Sequence, residues 1–161
     1  MPATTPIEIS TVGAKVYWAV ENATTGAGVK PATGWAELVG VNAAPGFDMT
    51  PETIDASDIS DYITQYVPGR QDPGGDASFT LNQSELARNT WNNMVTAANS
   101  AKQSGYRCWF QYVYPDDAKA YFWSGLPLTL GNGGIEQNAL STIPAHVIPN
   151  GAFEWNDKIT S

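Results

Sequence analysis

The run of residues 106–114 limits the folds open to this chain, because bulky side chains occupy both of its alternating positions. β-prone residues in such a run indicate a strand, whose successive side chains point to opposite faces of a sheet. A sheet with one face in water needs bulky side chains on the other face only. This strand is therefore predicted to lie either between two layers of the protein or against another subunit.

Short runs of strand character, separated by turn residues, fill most of the remaining chain. The predicted strands lie at residues 14–20, 35–41, 78–82, 118–130, 135–147 and 153–155. In the third of these strands, Phe79 and Leu81 alternate with polar residues and are predicted to share one face. Chain reversals are predicted at 115–117, 131–134 and 150–151, where Pro, Gly, Asn and Asp concentrate.

One segment has the pattern of a helix. Asn82 followed by Glu85 predicts a capping box at its start, and Gly105 lies beyond its end. Apolar residues then recur at helical spacing, at Ala87, Trp91, Met94, Val95 and Ala98. A helix over about 83–100 is predicted, with this stripe packed on a sheet. The fold is therefore predicted to be mainly β with one helix (α+β), in a single domain over 1–161.

Residues 48–76 carry most of the net charge. They hold seven Asp and Glu residues against Arg70 alone, which gives −6 of the chain's −8. A segment of this length without regular structure inside a compact domain is usually functional or mobile. We predict a long loop over about 43–76, with a short strand around 53–55 that leads into an extended arm at 48–76.

Side chains suited to catalysis or metal binding are sparse. His146 is the only histidine and lies in an apolar strand without a nucleophile motif, and Cys108 is the only cysteine, predicted to be buried. One His and one Cys cannot complete a zinc site. Asp116 and Asp117 fall on a predicted turn, where Asp is favoured for backbone reasons. We therefore predict no enzyme activity, and no catalytic, cofactor-binding or metal-ligating residues.

The net charge of −8, with eight Lys and Arg in total, argues against a groove that grips DNA, because phosphate neutralisation needs clustered cations. It is compatible with a surface that DNA slides past. The N-terminus has neither a basic start nor an apolar run, and no stretch approaches the length of a membrane helix. We expect a protein that is made in the cytosol, or assembled from there, without a membrane partner.

Two stretches resemble the tail tube proteins of long-tailed (siphovirus-type) bacteriophages. Residues 51–58 read Pro-Glu-Thr-Ile-Asp-Ala-Ser-Asp, and residues 66–81 contain Tyr-Val-Pro-Gly, Asp-Pro-Gly-Gly and Ser-Phe-Thr-Leu, in the family's order and before a helix. The aromatic-x-x-Gly of 121–126, and 141–144 with 149–151, resemble the family's closing strands. The resemblance covers about 35–155. The spacer 58–66 does not align, and no immunoglobulin-like decoration domain is expected after Ser161.

The resemblance implies a β-barrel or sandwich of two roughly orthogonal sheets with one flanking helix. It implies a virion structural protein without an active site, made in the host cytoplasm, whose hexameric rings stack into a tube for DNA ejection. The implied partners are sister copies and the tape measure, terminator and distal tail proteins, while DNA passes through the lumen without specific binding. We expect the arm to be mobile in the monomer and fixed between rings, with inter-subunit contacts through Ile54, Tyr62, Tyr66, Pro68 and Arg70.

Three alternatives remain open. Six Trp and an acidic pI would suit a carbohydrate-binding β-sandwich module, because aromatic rings stack on sugars. A related tube protein, a secretion tube or a tail terminator would share the fold, so that only assembly behaviour separates them. A small hydrolase that uses two carboxylates is the third.

Overall fold

The computed structural model describes residues 11–159 of the 161, so the ends of the expected 1–161 domain lie outside the described residues. Within them the chain forms one helix and nine strands, and every strand pair is antiparallel. The elements are β1 (Lys15–Val20), β2 (Ala36–Glu37), β3 (Val41–Ala43), β4 (Thr50–Asp55), β5 (Tyr66–Asp72), β6 (Ala77–Asn82), α1 (Glu85–Gln103), β7 (Cys108–Val113), β8 (Lys119–Pro127) and β9 (Thr142–Asp157). The predicted mainly β class with one helix is confirmed.

Seven strands form one strongly curled sheet in the order β2-β1-β7-β8-β9-β6-β3, and β4 with β5 forms a small second sheet. The two edge strands of the large sheet, β2 and β3, are neighbours in the chain. Between them the Leu38 N–H donates to the Val16 carbonyl and the Asn82 N–H donates to the Gly40 carbonyl, each at 2.8 Å. Residues 36–43 therefore connect one edge of the curled sheet to the other.

The strand predicted over 35–41 is split by this connection, which is a correction to the sequence analysis. Gly40 has a φ of 80°, a conformation that favours glycine. A Cβ at Gly40 would also lie 3.1 Å from the Cβ of Ala87 on α1. The segment bends here because it changes partner from β1 to β6, and local periodicity carries no signal for that exchange.

The predicted helix is confirmed and ends three residues later than predicted, at Gln103. Its cap differs from the predicted capping box, because Ser84 accepts the Ala87 N–H through its hydroxyl oxygen at 3.1 Å, while Asn82 stays in β6. The apolar stripe packs on the concave core as predicted, with Trp91, Met94 and Ala98 buried.

Stacked aromatic rings fill that core. The rings of Phe110 and Trp123 stack with centroids 4.4 Å apart, and Phe79 meets Trp91 edge-on at 5.6 Å. The Trp91 indole N–H donates to the Leu128 carbonyl at 2.9 Å, which joins the helix to the end of β8. Phe79 and Leu81 are both buried, so the predicted shared face of β6 is confirmed.

A second layer covers the other face of β7. Trp109 lies in a separate apolar cluster with Trp35, Ala120 and Phe122, beneath residues 21–35. The buried Glu21 carboxylate fastens this layer, since it accepts the Trp109 indole N–H at 2.8 Å and the Gly28 N–H at 2.6 Å. The strand is therefore enclosed on both faces by its own chain, and its bulky faces are no evidence of a subunit contact.

Lys30 makes further contacts that hold the same layer in place. Its ammonium group lies 3.9 Å from the centroid of the Phe122 ring and 2.5 Å from Oε1 of Glu154. A cation over an aromatic face is attracted by the negative face of the ring. The Lys30 side chain is largely buried, so these contacts hold residues 21–35 over β8 and β9.

The β8–β9 region corrects two predicted turns. Residues 128–133 still hydrogen-bond to β9, through the Leu128 N–H to the His146 carbonyl at 2.9 Å and the Gly133 N–H to the Thr142 carbonyl at 3.1 Å, so the chain reverses after 134 and not at 131–134. β9 also runs through Asn150–Gly151 without reversing. The register to β8 shifts there, and Gly151 has a φ of 98°, so the predicted turn is a bulge in one strand.

Candidate inter-subunit interface

The arm, residues 48–76, is a β-hairpin and not the predicted loop with one short strand. β4 and β5 pair with each other, with Thr53 opposite Pro68 and Ile54 opposite Val67. Pro51 and Pro68 argue against strands in the sequence, yet a two-stranded sheet leaves one edge of each strand free of hydrogen-bonding demands. Neither strand pairs with the large sheet.

The arm has no core of its own. Every residue of β4 is exposed, and in β5 only Gly69 is half-buried. An isolated two-stranded hairpin is marginally stable in water, and stable sheets need more strands or a packed face. The arm therefore has the character of an element that another surface completes.

Exposed apolar side chains concentrate on this arm. Ile54 and Val67 are 56% and 43% exposed, Tyr66 is 62% exposed, and Ile59, Tyr62 and Ile63 project from the connecting tip. Exposed apolar side chains that lie together can mark an interaction surface, whereas isolated ones are ordinary. Ile59, Ile63 and Val67 were missed by the sequence analysis, although apolar residues within an acidic segment are a usable signal.

The structure distributes the five predicted contact residues around the arm. Ile54 shares a face with Val67, whereas Tyr66 and Pro68 alternate with Val67 and lie on the opposite face. Tyr62 lies at the tip, and Arg70 lies next to Gly69 where the β4–β5 register shifts. All five side chains are exposed, but they form two faces and a tip and not one patch.

Carboxylates of the arm organise its turns. Asp55 accepts the Ser57 N–H at 2.8 Å, Asp61 accepts the Asp58 N–H at 2.7 Å, and Asp72 accepts the Gly74 N–H at 2.8 Å. The hydrogen bonds from Ser57 lower the pKa of the Asp55 carboxyl. Among residues 11–159, Asp76 is the one arm carboxylate that lies within 4 Å of a basic side chain, that of His146.

That contact belongs to a cluster that the sequence analysis did not anticipate. Nδ1 of His146 lies 3.0 Å from both carboxylate oxygens of Asp76 and 3.1 Å from the Ser78 hydroxyl. The β6–β9 register brings these distant residues together by pairing Ser78 with His146. Ser78 and Asp76 both contact Nδ1 of His146, whereas in a catalytic triad the serine and the aspartate contact different nitrogens of the histidine ring. The cluster fastens the root of the arm to β9.

The remaining reactive or ligating side chains are buried or scattered. Cys108 is buried as predicted, and burial raises the pKa of its thiol far above the usual value. No group of three or more His, Cys, Asp or Glu side chains in residues 11–159 is arranged to hold a metal ion. The helix α1 is not apolar enough to cross a membrane, and residues 11–159 hold no helix that is.

The tryptophans do not form a sugar-stacking platform. Trp35, Trp91, Trp109 and Trp123 are buried and Trp18 is half-buried, which leaves Trp155 as the exposed one of the six. Trp155 borders a groove of about 800 Å³ that is also lined by Tyr112, Tyr114 and Tyr121. Five of the six indoles thus serve the core, which removes the main reason for the carbohydrate-binding alternative.

No protein-family model and no curated protein sequence matches the chain. Solved structures do match. A chain in the six-fold symmetrised cryo-EM structure of the anti-feeding prophage (AFP) baseplate superposes with a TM-score of 0.58 at 8% identity, over 97% of this chain and 98% of that one. A chain in the tail of the empty GTA particle, refined helically with C6 symmetry, gives a TM-score of 0.55 at 12% identity, over 91% and 98%. The chain shares their fold.

A chain of the virion of the native gene transfer agent (GTA) particle also matches, with a TM-score of 0.47 at 14% identity, over 76% of this chain and 88% of that one. At such identities the likeness concerns the fold. The curled sheet with a small second sheet and one helix is consistent with the sandwich or barrel that the family resemblance implies.

Proposed function

We propose that this chain is a structural subunit of a phage-type tail particle, and that it forms the tail tube as stacked hexameric rings around a conduit for DNA ejection. The observation that carries the proposal is the exposed arm, with its apolar side chains, on a body that has the fold of subunits in two six-fold symmetric tail assemblies. The partners are sister copies first, with tape measure, terminator and distal tail proteins at the ends. The protein acts in the virion, after synthesis in the host cytoplasm, and not as an enzyme.

An unpaired strand edge supports assembly through the large sheet. β6 pairs with β9 only over residues 142–147. Over residues 148–157, β9 pairs with β8 on one side, and no strand of residues 11–159 pairs with its other side. Such an edge offers free backbone donors and acceptors to a strand from another chain. In the proposed ring, a neighbouring copy extends the sheet at this edge.

The charge supports a conduit over a DNA-binding protein. The chain carries a net charge of −8. Repulsion between the acidic walls of a tube and the phosphates of DNA favours passage of the DNA without retention. DNA binding through phosphate contacts would instead require a basic face.

A related tail component is the second candidate, because one of the structural matches above comes from a baseplate. A terminator or baseplate ring would share the body but would not stack into long tubes. A secretion tube would stack without enclosing DNA. Particle length and the presence of DNA distinguish these possibilities, since the fold is common to all of them.

Sedimentation velocity across a concentration series tests the proposal, and limited proteolysis locates the contact. We expect a shift from monomer to large discrete species as the concentration rises. Protease should cut the free monomer within 56–65, at the tip of the arm, and should cut the assembled form there much more slowly. A protein that stays monomeric at every concentration and binds sugars on a glycan array would favour the carbohydrate-binding alternative. Equal cleavage in both states would remove the arm from the interface.

A further inference from the structure

The arm and the most basic part of the body lie at different ends of the large sheet. Residues 86–115 contain no Asp or Glu but contain Arg88, Lys102 and Arg107. Lys102 lies in the last turn of α1, and Arg107 directly precedes β7. We call Lys102, Tyr106 and Arg107 the basic corner.

A tight turn holds the basic corner together. The Gly105 N–H donates to the Lys102 carbonyl at 3.1 Å, and the Tyr106 N–H donates to the Ala101 carbonyl at 2.9 Å. Lys102 and Arg107 are exposed, and Tyr106 is half-buried between them. The Glu21 N–H donates to the Arg107 carbonyl, but the Glu21 carboxylate is buried and accepts hydrogen bonds from the Trp109 indole and the Gly28 N–H. No ion pair to the side chains of the corner is formed within residues 11–159.

Other lysines have acidic neighbours. Lys15 and Lys30 form ion pairs with Glu37 and Glu154. Lys119 lies opposite Asp157 in the β8–β9 ladder, and Lys158 follows Asp157 in the chain. The backbone N–H of Lys119 donates to the Asp117 carboxylate. Lys102 and Arg107, by contrast, form no ion pair within residues 11–159.

We infer that the arm of one copy docks on the basic corner of a second copy. The inference rests on the proposed assembly and names the surface that receives the arm. Six carboxylates of the arm make no ion pair within residues 11–159, and the corner offers an ammonium and a guanidinium group in excess. Complementary charge selects the docking site and orients the encounter, while the apolar side chains of the arm contribute buried area.

The arm's aromatic residues fit the same partner. Tyr62 and Tyr66 are exposed on the arm, and guanidinium and ammonium groups are attracted to aromatic faces. Tyr106 adds an aromatic surface at the receiving side. Lys102 and Arg107 therefore meet both carboxylates and rings in the arm.

The positions of the two surfaces make the contact head-to-tail. Met49, Gln71 and Pro73 at the root of the arm line a cavity with Tyr121 and Trp155, towards the start of β8. Arg107 precedes Cys108, which lies opposite Gly125 near the other end of β8. A contact between two different surfaces of the same protein closes into a ring or propagates as a stack, as a tube requires.

Charge exchange tests the inference. The arm variant is Glu52→Lys/Asp58→Lys, the corner variant is Lys102→Glu/Arg107→Glu, and the control is Lys119→Glu/Lys158→Glu, which makes the same change of charge as the corner variant elsewhere. Arm and corner variants should each need a roughly tenfold higher concentration to assemble in sedimentation velocity, in line with the cost of like-charge contacts. The protein with all four arm and corner changes should assemble close to the wild type.

The outcomes separate the inference from the proposed function. Three results would overturn the basic corner as the docking site while leaving the tail function standing: arm and corner variants that assemble like the wild type, a control that is weakened as much as they are, or a four-residue variant whose assembly is not restored. Wild-type protein that never assembles overturns both. Thermal melting of each variant at low concentration should match the wild type, because all the altered residues are exposed except Lys158, which is half-buried. The same measurement identifies any variant that fails to fold.

Discussion

Ile54 and Val67 are cross-strand partners in the arm, and both side chains point into solvent. In the body, the cross-strand partners Phe110 and Trp123 are completely buried beneath α1. Paired apolar side chains stabilise a sheet when a layer covers them. The chain supplies that layer for the body and leaves the arm without one, which is why we propose that a second molecule docks on the arm.

Replacing the apolar pair of the arm should weaken assembly without weakening the fold. We expect Ile54→Thr/Val67→Thr to raise the concentration needed for assembly several-fold, because two hydroxyls must lose water on docking. The monomer's melting temperature should stay unchanged, because neither side chain is covered in the monomer.

Val29→Thr is the matched control for Val67→Thr, since Val29 is similarly exposed but lies outside the arm. Sedimentation velocity and thermal melting of the three proteins check this prediction. Assembly that is equally impaired by Val29→Thr, or a lower melting temperature for the arm variant alone, would count against the interface.

Gly125 makes room for the core. A Cβ at this position would lie 2.6 Å from Cγ1 of Val147 and 2.9 Å from the Trp123 ring. We expect Gly125→Ala to lower the free energy of unfolding by about 1–3 kcal/mol, the usual cost of overpacking. Gly134→Ala is the control, because nothing lies within 4 Å of its Cβ position. Urea denaturation of both variants measures the difference, and equal stabilities would refute the packing argument.

The bond between Trp109 and Glu21 should contribute measurably to stability. Trp109→Phe keeps an aromatic ring but removes the N–H that Glu21 accepts, leaving a buried carboxylate oxygen without that donor. We expect a loss of about 2 kcal/mol in the free energy of unfolding. Trp155→Phe makes the same change at an exposed indole and should have little effect on the monomer. Chemical denaturation compares them; a neutral Trp109→Phe would mean that the bond does not hold the second layer.

The buried thiol predicts a loss of stability at alkaline pH. Burial raises the pKa of Cys108 far above its value of about 8.5 in an unfolded chain. As the pH rises past that value the unfolded state ionises and the folded state does not, so the free energy of unfolding falls by up to about 1.4 kcal/mol per pH unit. Urea denaturation between pH 7.5 and 9.5 should show this slope in the wild type and a smaller slope in Cys108→Ala. Equal slopes would contradict the burial of the thiol.

Local periodicity predicted the elements whose burial is local. The apolar spacing of Trp91, Met94 and Ala98 indicated α1, and the alternation of Phe79 and Leu81 indicated β6, because each pattern records one buried face. The bulky residues of β7 likewise predicted an enclosed strand. The sequence could not show whether a second layer or a second subunit enclosed it, since residues 21–35 have little periodicity.

Long-range pairing explains what the sequence analysis missed. The bend at Gly40 depends on an exchange of partners between distant strands, and the Asp76–His146 contact depends on the β6–β9 register. Pro51 and Pro68 concealed the arm hairpin, because proline usually argues against strands. The arm was identified in advance by its charge, whereas its two faces followed only from the register of Ile54 with Val67.

Electron microscopy of the purified protein, concentrated and incubated, tests the central claim most directly. We expect six-fold symmetric rings that stack into tubes, with the arm of each copy in contact with a neighbour. A field of isolated monomers at every concentration, under conditions where the protein is folded, would contradict it.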